Sequence, residues 1–158
     1  MSLNTGLTLG KYAPLHKGHE HLIETMLREM DAAIVIIYDK TVTLIPLEKR
    51  AGWLRELFPG VRVIEARSGP VGSAHDPEYE RREEQFVLNL LGNQNISAFY
   101  SSEYYGEHMS RALGCADRRV RKTVPVCASA IRNNPEEYRQ YLSETVYRDL
   151  KNFEKRES

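Results

Sequence analysis

The chain is predicted to be an α/β protein built on a doubly wound parallel sheet, with short helices at its C-terminal end. Two observations carry this. Short apolar or β-branched runs, each bounded by turn residues or charge, recur along the sequence, and longer stretches with apolar residues at helical spacing lie between them. Strand and helix alternating in this way imply right-handed crossovers and helices on both faces of the sheet. The length agrees, since 158 residues is one ordinary domain with a core large enough to stand alone.

The expected strands are residues 7–10, 32–38, 61–66 and 98–101. A first helix is predicted over 18–30, where Leu22, Ile23, Met26, Leu27 and Met30 share one face. A second runs over 46–58: Pro46 suits a first turn, Leu47, Ala51, Leu54 and Phe58 form its stripe, and Pro59-Gly60 stops it. A third covers 79–91, with Phe86, Val87, Leu90 and Leu91 inward before the breaker run Gly92-Asn93-Gln94-Asn95, and a fourth covers 104–113. After Pro125 the pattern changes to short helices over 135–142 and 144–153, whose apolar contacts are Tyr138, Tyr141, Leu142, Val146, Tyr147 and Leu150. The one long loop, 67–77, is the candidate substrate lid, because loops of that length in compact domains are usually functional or mobile.

Composition narrows the function. With 41% hydrophobic and 28% charged residues the chain is globular, and its 22 basic and 22 acidic residues cancel. There is then no global field to hold nucleic acid or an anionic membrane, and neither is expected as a partner. No apolar run approaches the roughly 20 residues of a membrane helix, and the N-terminus lacks a signal-peptide pattern, so a cytoplasmic protein is expected. Cys115 and Cys127 stand in no metal or disulfide pattern and read as thiols.

The segment Gly10-Lys11-Tyr12-Ala13-Pro14-Leu15-His16-Lys17-Gly18-His19 follows the first strand and opens the first helix. Ligands of open parallel sheets bind beyond the carboxyl ends of the strands, which is where this loop lies. Gly10 and Gly18 let the backbone approach a ligand, the helix N-terminus favours phosphate, and His16 and His19 converge on the anion. Two other readings compete. His16, His19 and His21 make an HxxHxH spacing that suits zinc, though no cysteine or HExxH accompanies it, and the histidines alone could serve as caps. Later in the chain, Val124 to Pro135 combines a short helix start, the Ser129 hydroxyl and the forked cation of Arg132, all suited to a triphosphate tail.

GKYAPLHKGH resembles the HxGH signature of the nucleotidyltransferase superfamily, most closely the NadR-type nicotinamide-mononucleotide (NMN) adenylyltransferases. VPVCASAIRNNP resembles the second signature of that superfamily, and the turn YSSEYYGE resembles its Ser-Ser-Glu turn, although Ser101 or Ser102 as a plain N-cap would also account for it. The helix containing Arg50 and Trp53 is also family-like, and an exposed Arg50 is as compatible with it as a phosphate contact. The resemblance implies a Rossmann-like fold and a single nucleotidyltransferase domain over 1–158. It implies catalytic roles for His16, His19, Lys11 and Arg132, and ligand contacts from Gly10, Tyr12, Gly18, Ser102, Glu103, Arg121, Ser129, Ala130 and Ile131. ATP would be the co-substrate, with Mg2+ held through substrate phosphates rather than by a protein cage. The partner would be a small phosphorylated acceptor, and a homo-oligomer is compatible with the superfamily. Cys127-Ala128 stand where the family more often has Ser-Gly, and the loop where NadR-like proteins carry tryptophans has none, leaving Tyr79 or Phe86 to stack on a nicotinamide.

The chemistry this predicts is electrostatic. A phosphate monoester, with a second pKa of about 6, is already mostly dianionic at neutral pH and needs little help from a base. Charge on the α-phosphate must instead be stabilised by positioned donors and cations. An NMN adenylyltransferase is the leading reading. A relative with another acceptor such as phosphopantetheine, or with CTP as donor, and a non-catalytic nucleotide sensor stand beside it. The chain contains no GxxxxGKS/T run, so the kinase activity that often accompanies the NadR type is not expected.

Overall fold

The computed structural model describes residues 3–40, 43–73, 75–103 and 106–157. Its elements are β1 (Thr5–Gly10), α1 (Lys17–Glu29), β2 (Ala32–Tyr38), α2 (Leu47–Leu57), β3 (Arg62–Ala66), α3 (Pro77–Leu91), β4 (Ala98–Ser101), α4 (Glu107–Leu113), β5 (Ala116–Arg119), α5 (Ala128–Asn133), a 3-10 turn (Arg139–Tyr141) and α6 (Glu144–Glu157). The five strands form one parallel sheet in the order β3-β2-β1-β4-β5. The chain leaves β1 toward β2 on one side and returns later to β4 on the other. A topological switch point therefore opens between β1 and β4, the usual ligand crevice of such sheets.

Burial on both faces follows from the alternation of side chains along β2. Ala33, Val35 and Ile37 enter one core with Ile23 and Met26 of α1, Leu54 of α2 and Val146 and Leu150 of α6. Ile34, Ile36 and Tyr38 enter the other with Val87 and Leu91 of α3 and Met109 of α4. A strand buried on both sides reads as a continuous apolar run, which is why 32–38 is so legible in the sequence. The tail packs on the α1/α2 face, where buried Trp53 donates its Nε1 proton to Asp149 of α6 at 2.7 Å. No helix among the described residues is long and apolar enough to cross a membrane.

Two elements, one side chain and one helix boundary differ from expectation. β5 pairs with β4 from Ala98↔Ala116 to Ser101↔Arg119, yet its sequence, Ala-Asp-Arg-Arg, carries no apolar signal. It is an edge strand with one neighbour and mostly exposed side chains, and charge on such a strand discourages pairing with other chains. The helix expected over 135–142 is absent. Asn134 caps a turn by accepting from the Glu137 amide at 3.3 Å, only Arg139–Tyr141 winds up, and Leu142 is extended. Finally, Leu27, expected on the inward face of α1, is exposed. The fourth helix begins at Glu107; Tyr104 and Tyr105 lie outside the described residues.

Candidate active site

The HKGH turn makes its own scaffold. His16 is the N-cap of α1: its Nδ1 accepts from the Gly18 amide at 3.0 Å, while its backbone N–H donates to His19 Nδ1 at 3.1 Å, a reciprocal capping box made by two imidazoles. The capping reading is therefore correct as structure and leaves a chemical role open. The two rings stack, with centroids 3.8 Å apart and planes 23° apart. A face-to-face pair is not the convergent arrangement of a zinc site, and among the described residues no group of three or more His, Cys, Asp or Glu side chains could hold a metal.

A nitrogen that accepts from an amide carries no proton. In a neutral ring that proton is then on Nε2, so both histidines have Nδ1 turned to the backbone and Nε2–H left as a donor. Burial keeps them neutral. It pushes the His16 pKa down to about 4, and burial followed by the neighbouring His16 holds His19 well below its usual value. The pair thus offers neutral N–H donors rather than cations.

Gly18 is explained by the same geometry. A Cβ on it would stand 2.8 Å from His16 Cε1 and 3.4 Å from the Cβ of Val124, so the glycine makes room for the imidazole and for the chain leading to α5. Gly10 answers to Tyr12, whose ring lies 2.8 Å from where a Cβ would be. Tyr12 has φ of 50°, is buried, and meets His19 edge-on with ring centroids 4.9 Å apart. Its side chain belongs to the scaffold, and only its backbone remains to face a ligand.

The second constellation meets the first across the switch point. Arg132 of α5 donates Nη1 to the carbonyl of Ala13 at 2.6 Å, bridging positions far apart in sequence. Ser129 is exposed at the start of α5, with Oγ 3.1 Å from Cys127 Sγ, and Ala130 is half-buried. Ile131 is fully buried and its amide bonds to the Cys127 carbonyl, so it anchors the helix in the core and has no side-chain route to a ligand. Ser102 and Glu103 are half-buried in the turn after β4; Ser101 Oγ donates to the Glu103 carbonyl, and the Glu103 carboxylate pairs with Lys122. Lys11 and Arg121 are exposed.

Two residues were missed or misjudged from sequence. Arg50 is not exposed: it is 1% accessible and donates to the carbonyls of Lys11, Tyr38 and Ile45. Lys40, just past β2, donates to the Pro70 carbonyl at 2.6 Å; burial first and then the nearby charge of Lys11 lower its pKa. No periodicity marks it, and its only signal was its position two residues beyond a strand end. The loop after β3 is held at Pro70 by that bond and at Val71 by Arg82 Nη2 on its carbonyl at 3.2 Å. Gly72 sits against the Tyr79 ring and Gly69 against Phe86. The aromatics left to stack on an acceptor are thus covered by the loop itself. A cavity of about 410 Å³ lined by Thr5, Ala32, Gly60 and Arg62 lies at the opposite, N-terminal end of the sheet, away from this chemistry.

No family model matches the chain, and no curated protein matches it. Solved structures do. A NadR protein in complex with NAD and AMP-PNP superposes with a TM-score of 0.69 at 24% identity, over 94% of this chain and 47% of that one. A bifunctional NMN adenylyltransferase/ADP ribose pyrophosphatase from Francisella tularensis gives 0.68 at 16%, over 96% and 50%. A pantoate-beta-alanine ligase from Francisella tularensis gives 0.54 at 17%, over 90% and 67%. The chain shares the α/β fold of these structures, and it spans about half the length of the first two.

Proposed function

We propose that the chain is a nucleotidyltransferase that moves AMP from ATP onto the phosphate of a small acceptor, NMN first among them, and releases pyrophosphate. The observation that carries this reading is the stacked His16–His19 pair at the switch point, with both Nδ1 atoms committed to the backbone and both Nε2–H groups left as neutral donors beside the N-terminus of α1. The nucleotide complexes of the NadR protein and the adenylyltransferase activity in the name of the Francisella protein support it.

In the proposed reaction the acceptor phosphate oxygen attacks the α-phosphorus of ATP, the new P–O bond forms, and the bond to the β-phosphate oxygen breaks with its electron pair leaving on pyrophosphate. No protein group needs to remove a proton, because the acceptor is already a dianion. The task of the protein is to hold two anions together and to stabilise the charge that develops on the α-phosphate. His16, His19 and the first amides of α1 would do so as donors, Lys11 and Arg132 as cations, and Ser129 at the triphosphate tail. Ser102 and Glu103, at the end of β4, would receive the base and ribose side of the nucleotide. Mg2+ would enter on the triphosphate and neutralise part of its charge, which suits a site that has no carboxylate cage among the described residues. The setting we assign is cytoplasmic, with no nucleic-acid or membrane partner.

The test is pyrophosphate release from ATP and CTP against NMN, nicotinic acid mononucleotide and phosphopantetheine. Turnover with ATP and NMN, lowered by roughly 10²–10³ in His19→Ala, is expected. Turnover only with another acceptor or with CTP would move the assignment within the same chemistry, and nucleotide binding without turnover would make the chain a sensor.

A further inference from the structure

A guanidinium lies buried directly beneath the proposed site. Arg50, on α2, donates Nη1 to the Lys11 carbonyl at 2.6 Å and to the Tyr38 carbonyl at 3.2 Å, and Nε to the Ile45 carbonyl at 3.1 Å. These acceptors belong to three separate segments: the turn leaving β1, the last residue of β2, and the entry to α2. Asp39 and Glu48 influence the cation through space, while its hydrogen bonds go to neutral main-chain oxygens. A buried cation is tolerated only when its donors are satisfied, and the rigid planar fork of arginine can serve three carbonyls where a lysine ammonium would have to choose.

The Lys11 carbonyl is the acceptor with chemical consequence. It begins the peptide that leads into Tyr12, where φ is 50°, a region that bulky side chains seldom occupy unless the surroundings hold them there. That left-handed turn lays the Tyr12 ring against Gly10 and sets it in a T-shaped contact with His19. His19 in turn stacks on His16.

We infer that Arg50 is a positioning residue for the imidazole pair: by holding the Lys11 carbonyl it fixes the turn at Tyr12, and the Tyr12 ring holds the plane of His19 in which Nδ1 accepts from the His16 amide and so keeps its tautomer. The kinetic consequence rests on the proposed transfer reaction; the conformational one does not.

Imidazole 15N NMR on the full chain tests it, with Arg50→Lys as the variant. In the unmodified chain His16 and His19 should each show a single Nε2–H tautomer. In Arg50→Lys the His19 signals should shift and report mixed tautomers while His108, on α4, stays put. Turnover should fall roughly 10–100-fold with KM for ATP changed less than about threefold, the split expected when an interaction used in the transition state is lost. A mere structural staple would lower stability and the yield of active molecules without singling out His19. An unmoved His19 spectrum in folded Arg50→Lys overturns the inference. Should that variant not fold, Tyr12→Leu, which keeps Arg50 and removes the ring, must reproduce the His19 change, and an unmoved spectrum there overturns it equally. If the unmodified chain turns over no acceptor, the functional reading fails on that result alone, and the NMR arm still decides the positioning role.

Discussion

Replacing Gly18 by alanine should separate stability from function more cleanly than removing either histidine. The new Cβ would stand 2.8 Å from His16 Cε1 and 3.0 Å from its Nδ1, closer than such contacts allow, and 3.4 Å from Val124 Cβ. The imidazole is the partner that can swing away, so the backbone need not move. Losing its N-cap bond to the Gly18 amide costs about 1 kcal/mol. Removing a glycine from the first turn of α1 returns about 0.5–1 kcal/mol through reduced backbone freedom. The net change is therefore within about 1 kcal/mol, a shift of no more than about 4 °C in Tm for a chain of this length. Function should respond quite differently. With the His16 ring displaced, the stack on His19 at 3.8 Å is broken and one donor leaves the site, which is a loss of roughly 10²–10³ in kcat. Thermal unfolding and pyrophosphate release on the same preparation measure both. An unchanged kcat at an unchanged Tm would refute the reasoning, and so would a loss of activity that merely tracks unfolding.

Three further outcomes are expected. The His16 pKa is lowered by burial to about 4 from 6.5, so the folded state resists protonation: its contribution is complete above pH 6.5 and is lost as pH falls toward 4, on the order of 3 kcal/mol in all. His16→Asn keeps a capping oxygen and should lessen that acid limb in urea titrations, leaving the share of His19, whose pKa burial also lowers, whereas an unaltered limb would mean His16 does not report it. Arg132→Ala frees the Ala13 carbonyl and removes a proposed triphosphate cation, and should raise KM for ATP more than KM for the acceptor; equal effects on both would make Arg132 a structural tie. Cys127 is exposed, and its thiol pKa is lowered by the Ser129 hydroxyl and then by the amides of α5, while burial raises that of half-buried Cys115. Brief alkylation read by mass spectrometry should label Cys127 first and be slowed by ATP with Mg2+, and labelling that nucleotide does not slow would place Cys127 outside the site.

Whatever is set by local pattern was readable along the chain. Strand β2 is a continuous apolar run because the sheet is covered on both faces, α1 to α3 carry helical stripes because each buries one side, and GKYAPLHKGH announces itself by glycines and histidines at a strand-to-helix junction. Tertiary contacts decided the rest. Asp117, Arg118 and Arg119 form a strand only because β4 offers its edge, and no propensity in Ala-Asp-Arg-Arg anticipates it. Arg50 looked like any helix arginine until three carbonyls from separate segments closed around it. The glycines of the GKYAPLHKGH segment looked like openings for a ligand, whereas Gly10 makes room for Tyr12 and Gly18 for His16. Even the state of the histidines is a tertiary property: composition fixes that imidazoles are present, but only burial and two amide hydrogen bonds make them neutral donors with Nε2–H available. Sequence specifies which groups are present and what they prefer locally; their charge, tautomer and direction depend on partners that are brought close only when the chain has folded.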